Sequence, residues 1–246
     1  MTEVENTASF AEEVRSSAWR AETDAWIAAR LAESGRRPSG PTEQRRIRPW
    51  SIQLVAPTVE GPAWFKADAP GLAHEPALHA LLASIAPDRV DAPLAIDTGR
   101  GWMLTRDRGS TLADDHDASL EEWCEIVREA ADLQRRVVPH AASLLRTGLP
   151  NCSPTTVLER FDVLIDRYAA LPPSHPSHLS IDERQAFEAV RSDVAEAAAT
   201  LAAGALPVTL DHGDLHPGNV LLVGGGLRLF DFGDAQWASA PETLGA

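Results

Sequence analysis

Residues Leu210–Ala235 read LDHGDLHPGNVLLVGGGLRLFDFGDA, and this stretch decides the fold. Two short apolar runs, Val220–Val223 and Leu227–Phe230, flank three glycines and predict a β-hairpin. If the strands are mirrored about the middle glycine, Asn219 stands opposite Asp231 at the open end of the ribbon, with Cα atoms about 4.5–5.5 Å apart. The hairpin is therefore expected to bring an amide and a carboxylate together.

The open end of this hairpin has the side chains that a magnesium site needs. Carboxylate and amide oxygens are hard ligands that suit Mg²⁺. Asp214 lies five residues before Asn219, so a second, separate carboxylate reaches the same end. Phosphoryl transfer to a hydroxyl needs such a set, because the cation neutralises phosphate charge and the free carboxylate accepts the hydroxyl proton. The alternative is a surface hairpin built from turn-forming Asp, Asn and Gly.

The order of these residues resembles a known family. The spacing H-x-D-x-x-x-x-N, followed by a hairpin and D-F-G, is similar to the catalytic elements of the protein-kinase fold. With Gly213 where protein kinases carry arginine, HGDLHPGN and FDFGDA resemble the aminoglycoside phosphotransferase and choline kinase family more closely. The resemblance implies ATP and Mg²⁺ as cofactors, Asp214 as the catalytic base, and Asn219 and Asp231 as metal ligands. It gives His212 a supporting role in the loop backbone.

Lys66 is the only lysine among the 22 basic residues, and it ends the apolar stretch AWFK. A kinase-like fold implies a lysine on a strand of the front lobe, which contacts the nucleotide phosphates, and a glutamate on the next helix, which holds it. An ammonium group suits phosphate oxygens as a point charge. Glu75 is the only glutamate between Lys66 and the end of that helix. Since Pro76 suits the first helical position, Glu75 is expected at the N-cap. Whether it pairs with Lys66, caps the helix or does both is left open.

The order of predicted elements is that of an α+β protein in two lobes, as in the protein-kinase-like fold. Residues 1–106 are predicted to form an N-terminal lobe with leading helices within residues 8–34 and a nucleotide-binding sheet. Residues 107–246 are predicted to form a mainly helical C-terminal lobe with the catalytic loop. The predicted strands are Ser51–Val55, Ala63–Lys66, Ala92–Ile96 and Gly101–Thr105, and the predicted helices are Glu75–Ile85, Leu120–Val137, Thr156–Ala170 and Ile181–Ala203.

Two features depart from the family pattern. The turn between the first two strands, IRPWS at residues 47–51, contains no glycine, so phosphate contacts there are expected from backbone amides and Ser51. The chain also ends 15 residues after Asp231, where the family continues with helices that complete the acceptor pocket. The chain is interpreted either as a shortened member or as a truncated one, which leaves the completeness of its substrate pocket open. The backbone that follows the strand Gly101–Thr105 is expected to bind adenine.

Composition limits the partners of the chain. Its 36 acidic residues outnumber its 22 basic ones, which gives a net charge of −14 over 246 residues. Such a chain lacks the positive field that binding to nucleic acid or anionic lipid requires. The acidic N-terminus lacks a signal-peptide pattern, and no apolar run reaches the roughly 20 residues of a membrane span. We therefore expect a cytoplasmic protein without nucleic-acid or membrane partners, and its oligomeric state is left open.

Three hypotheses about function follow. The leading one is an ATP-dependent small-molecule kinase that transfers the γ-phosphate to a hydroxyl of an aminoglycoside-, choline- or sugar-like acceptor. The second is a metal-dependent hydrolase that uses His212, Asp214 and His216, whose spacing H-x-D-x-H permits metal binding. The third is a catalytically inactive nucleotide-binding relic. The sequence does not name the acceptor.

Overall fold

The front of the chain forms a five-stranded antiparallel sheet. The computed structural model describes residues 10–107, 109–204 and 206–240. The strands are β1 (Glu43–Ile47), β2 (Ser51–Ala56), β3 (Ala63–Asp68), β4 (Ala95–Asp97) and β5 (Trp102–Arg106), in the spatial order β1-β2-β3-β5-β4. The predicted bounds of β2 to β5 differ from these by at most three residues.

Helix α1 (Ser17–Glu33) covers one face of this sheet. Its buried positions recur every four residues and so form one stripe along the helix. Trp19 of that stripe packs edge-on against Phe65 and Trp102, with ring centroids 6.3 and 6.1 Å away. Because neighbouring side chains on a strand point to opposite faces, Phe65 in this core places Lys66 on the other face of β3. The leading helices predicted within residues 8–34 are found as a short helical turn at residues 10–13 followed by α1, and residues 8–9 lie outside the described residues.

A second core joins the remaining elements. Helix α2 (Glu75–Ile85) contributes Leu78 and Leu82 to this core rather than to the core under α1. Helix α4 (Leu120–Val137) and the strands of the hairpin add further apolar residues, among them Ile126, Leu133, Val220 and Leu229. The further helices are α3 (Leu112–Asp115), α4 (Leu120–Val137), α5 (Ala141–Leu145), α6 (Val157–Ala169), α7 (Ile181–Ala189) and α8 (Arg191–Ala202), and the further strands are β6 (Val208–Asp211), β7 (Val220–Val223), β8 (Gly226–Leu229) and β9 (Gln236–Ser239). The lobe boundary at residue 106 stays a prediction.

The catalytic hairpin has a different register from the predicted one. Gly226 pairs with Val223, so Gly224 and Gly225 alone form the turn, with φ of 60° and 80°. A positive φ at both central residues is typical of the two-residue turn that matches the twist of the strands. Relative to the predicted register, the pairing is shifted by one residue, so that Phe230 rather than Asp231 lies opposite Asn219. The amide of Phe230 donates to the carbonyl of Asn219 at 3.2 Å. The prediction that Asn219 faces Asp231 is therefore wrong by one position.

The fold class is confirmed, with one helix divided. A strand-rich front and a mainly helical back form the mixed architecture predicted from the element order. The predicted helix Ile181–Ala203 is two helices, which meet at Val190. Within the described ranges, none of the helices is both long and apolar enough to cross a membrane.

Candidate active site

A cavity of about 340 Å³ lies between the sheet and the catalytic hairpin. This volume is at the lower end of the range for small-molecule sites. Side chains from the sheet, from the segment after β5 and from the hairpin line it. Its lining includes Arg46, Gln53, Lys66, Glu75, Asp91, Asp107, Gly109, Asp114, Gly218, Asn219 and Asp231.

Three carboxylates surround the ammonium group of Lys66. Its Nζ donates to Oδ1 of Asp231 at 2.6 Å and to Oε2 of Glu75, and it lies 3.4 Å from Oδ1 of Asp68. Burial alone would lower the pKa of Lys66, but the three neighbouring carboxylates hold it well above its ordinary value. The only lysine of the chain is therefore a permanent cation at the cavity wall.

Glu75 links Lys66 to the segment that follows the hairpin. Its side chain is fully buried, and Oε1 accepts a hydrogen bond from the amide of Phe232 at 3.0 Å. Burial works to raise the pKa of Glu75, but the charge of Lys66 and the hydrogen bonds from Asp68 and Lys66 together outweigh it, and the pKa falls to about 2. The N-cap of α2 is His74, and Glu75 is the first helical residue. The N-cap prediction is therefore wrong by one residue, because the carboxylate is held by Lys66 and Phe232 instead.

Asp68 is a site residue that the sequence analysis missed. Its side chain is 1% exposed, and its carboxyl group lies against the ammonium group of Lys66 and the carboxylate of Glu75. Burial, together with the charge of Glu75, raises the pKa of Asp68 well above its ordinary value. Asp68 follows Lys66 by two residues on β3, so both side chains share one face of the strand. That spacing predicts the shared face, but it does not predict the burial that makes Asp68 part of the site.

The catalytic loop holds Asp214 through Asn219. The Nδ2 group of Asn219 donates to the carbonyl of Asp214 at 2.8 Å and to its Oδ2 at 3.1 Å. Because the amide nitrogen makes both bonds, Oδ1 of Asn219 is turned away from Asp214. The Asp214 side chain is 51% exposed, so it stays accessible to an acceptor. Asn219 lines the cavity beside it.

His212 and Gly213 explain how the loop keeps its shape. Nε2 of His212 lies 3.0 Å from the carbonyl of Phe230, and a carbonyl can only accept, so Nε2 carries the proton. Burial lowers the pKa of His212, which agrees with a neutral supporting ring. Gly213 has φ +76°, and a Cβ there would lie 2.1 Å from the carbonyl oxygen of Asp234. This close approach excludes the arginine that protein kinases carry at the position.

The geometry does not assemble the proposed hydrolase site. His212 uses Nε2 for the Phe230 carbonyl, and Nδ1 of His216 accepts from the amide of Gly218 at 3.0 Å. In the part of the chain that the structure describes, no group of three or more His, Cys, Asp or Glu residues is placed to hold a metal ion. The hydrolase hypothesis therefore lacks a metal site there.

Asn219 and Asp231 together offer a donor set that fits Mg²⁺. Both line the cavity, and Oδ1 of Asn219 and the carboxylate of Asp231 are hard oxygen ligands. Ser51, in contrast, is buried at the start of β2 opposite Asp68 and does not line the cavity. The structure thus brings Lys66, Glu75, Asn219 and Asp231 together and leaves out Ser51.

Comparisons with known proteins agree with this architecture. Residues 58–240 match the phosphotransferase enzyme family, and the chain belongs to that family. Among curated proteins, none matches the chain by sequence. The resemblance drawn from the catalytic loop is thereby confirmed.

Several solved structures share the fold. Macrolide 2′-phosphotransferase type I is 15% identical with a TM-score of 0.53, over 91% of this chain and 74% of that one. Choline kinase LicA from Streptococcus pneumoniae is 16% identical with a TM-score of 0.51, over 87% and 70%. A choline/ethanolamine kinase family protein from Mesorhizobium loti is 17% identical with a TM-score of 0.55, over 92% and 68%. At such identities the likeness establishes the protein-kinase-like fold.

Proposed function

We propose that the protein is an ATP- and Mg²⁺-dependent kinase that phosphorylates a hydroxyl group of a small molecule. The contact of Lys66 with Glu75 and Asp231 carries this proposal. The three residues come from a strand, a helix and the segment after the hairpin, and Lys66 and Asp231 are 165 residues apart. Such a cluster at a cavity of small-molecule size suits the binding of a phosphorylated ligand.

Each residue of the cluster has a distinct role in nucleotide binding. Lys66 contacts phosphate oxygens, and Glu75 fixes the position of its ammonium group. Asp107 and Gly109, after β5, line the cavity, and their backbone is the proposed adenine contact. Asn219 and Asp231 hold the metal ion. Bound Mg²⁺ neutralises charge on the phosphates.

Asp214 is the proposed catalytic base. It orients the acceptor hydroxyl and takes its proton as the hydroxyl oxygen bonds to the γ-phosphorus and the bond to the leaving ADP oxygen breaks. Its half-exposed carboxylate is accessible from solvent, and its hydrogen bond to Asn219 fixes its distance from the metal ligands.

The acceptor is proposed to be an aminoglycoside-, choline- or sugar-like alcohol. Asp91 and Asp114 line the cavity, and their charge favours an acceptor that carries a cation. The solved structures with the same fold include proteins named for macrolides and choline.

A screen of such alcohols with ATP and Mg²⁺, with the Asp214→Asn variant beside the wild type, tests this function. Phosphorylation of one acceptor by the wild type is expected, and Asp214→Asn should lower turnover about 10²–10⁴-fold while ATP still binds. Asp193→Asn, on the exposed surface of α8, is the matched control and should keep wild-type turnover. Turnover that survives in Asp214→Asn contradicts the assignment of the base. ATP binding without phosphorylation of any acceptor would favour the inactive relic.

A further inference from the structure

A β-bulge in β1 directs Arg46 toward the cavity. Gln44 pairs with Leu54, but the pairing shifts at the next step so that Arg46 pairs with Gln53. Without the extra residue, Arg46 would stand opposite Ile52, which is buried in the core under α1. The shift instead aligns it with the face of the sheet that carries Lys66.

Arg46, Gln53 and Lys66 form a row across three strands. Gln53 pairs with Arg46 on one side and with Lys66 on the other, and all three line the cavity. Neighbouring strands are about 4.8 Å apart, so the Cα atoms of Arg46 and Lys66 are about 10 Å apart. Two long cationic side chains at this separation can converge on one group that lies over Gln53.

The guanidinium group of Arg46 is available for a ligand. Within the described residues it makes no side-chain hydrogen bond and no ion pair. Its neighbour Arg45 differs, because its guanidinium pairs with Glu43 at 3.1 Å and it does not line the cavity. The two arginines are adjacent in sequence but differ in what they contact.

The charges around Lys66 indicate what Arg46 would bind. Lys66 already has Glu75, Asp68 and Asp231 as neighbours, so a single ammonium group meets several carboxyl groups. A triphosphate carries several negative charges, and the turn between β1 and β2 has no glycine whose backbone amides could approach it closely. A guanidinium group binds phosphate through two parallel hydrogen bonds.

We propose that Arg46 is a phosphate-binding residue that, with Gln53, takes the place of a glycine-rich loop. Arg46, on β1, binds the terminal phosphates of the nucleotide, and Lys66, on β3, binds the same phosphates. This inference rests on the proposed function, because it requires ATP in the cavity.

Calorimetric titration of the full chain with ATP, ADP and AMP in the presence of Mg²⁺ tests the role of Arg46. Arg46→Gln should weaken the binding of ATP and ADP about 10- to 100-fold and leave the affinity for AMP within about twofold of wild type. Arg46→Lys should bind ATP and ADP with affinities between those of the wild type and Arg46→Gln, because lysine keeps the positive charge but cannot form two parallel hydrogen bonds. Arg45→Gln is the matched control and should bind all three nucleotides as the wild type does.

The outcomes separate this inference from the proposed function. Wild-type protein that binds no ATP would overturn both. If the wild type binds ATP and Arg46→Gln binds it with equal affinity, only the proposed role of Arg46 would be overturned. An equal loss for AMP would also overturn it, since the residue would then contact the nucleoside part. Arg46 is exposed, so circular dichroism of each variant should show wild-type folding.

Discussion

Replacing Glu75 by glutamine should destabilise the protein by an amount that the structure predicts. The pKa of the buried carboxyl is about 2 instead of 4.5, and the difference, 4.5 − 2, is about 2.5. At about 1.4 kcal/mol for each pKa unit, the charged form contributes about 3 kcal/mol to stability at neutral pH. For a chain of this length, Glu75→Gln should therefore lower Tm by roughly 6–12 °C at pH 7.

The sign of the pH dependence follows from the direction of the shift. Because the folded-state pKa of Glu75 lies below the unfolded value, its contribution is present above pH 4.5 and is lost as the pH falls through about 2. Urea unfolding followed by circular dichroism, at pH 7 and at steps down to pH 3, should show the wild type losing its advantage over Glu75→Gln as the pH falls.

A second glutamate provides the control for this experiment. The pKa of Glu122 is also lowered to about 2, by hydrogen bonds from Ser119, but its side chain is 29% exposed whereas that of Glu75 is fully buried. Glutamine keeps the capping geometry at that position, so Glu122→Gln should unfold at nearly the wild-type urea concentration. The reasoning would be refuted if Glu75→Gln had the same urea midpoint as the wild type at pH 7. It would also be refuted if the difference between the two midpoints did not decrease as the pH is lowered.

Two further substitutions test the buried carboxyl and the loop glycine. Burial raises the pKa of Asp68, so its contribution to stability is full below pH 3.8 and declines as the pH rises through the raised value. The urea midpoint of Asp68→Asn, relative to that of the wild type, should therefore be higher at pH 9 than at pH 5. A difference between the two midpoints that is the same at both pH values would contradict this. Gly213→Ala should destabilise by about 3 kcal/mol or more, because its Cβ would lie 2.1 Å from a carbonyl oxygen. Gly224→Ala, where a Cβ meets nothing within 4 Å, should cost only about 1 kcal/mol, and equal urea midpoints for the two variants would contradict the packing explanation.

The sequence predicted that Asp214 and Asn219 come together because these two residues are close in the chain. Asp214 and Asn219 lie within one turn, and their contact needs only local geometry. Lys66 was identified from the composition of the chain, because the chain contains no other lysine. The hairpin was predicted but its register was not, because three consecutive glycines permit a turn of two or three residues. Cross-strand contacts determine which turn forms, and the pairing of Val223 with Gly226 leaves a turn of two residues.

Asp68 and Arg46 could not be placed from the sequence for a different reason. An aspartate that follows a lysine by two residues on a strand is ordinary unless the fold buries it, and burial depends on α2 and on the segment after the hairpin. Arg46 reaches the cavity only because of the bulge in β1, and no residue type in EQRRI marks a bulge. Both positions depend on pairing between segments, which local patterns do not encode.

The backbone at Asp231 supports its placement at the centre of the site. Among the described residues it is the only non-glycine residue with a positive φ, at 64°, and a left-handed conformation costs about 1–2 kcal/mol. Glycine or asparagine would adopt it more readily, but neither carries a charge. The conformation is held from both sides, because Lys66 contacts the carboxylate and Glu75 accepts from the amide of Phe232, the next residue. A strained aspartate kept in place by a partly buried ion pair is expected where its carboxylate is needed, and here it lines the same cavity as Asn219.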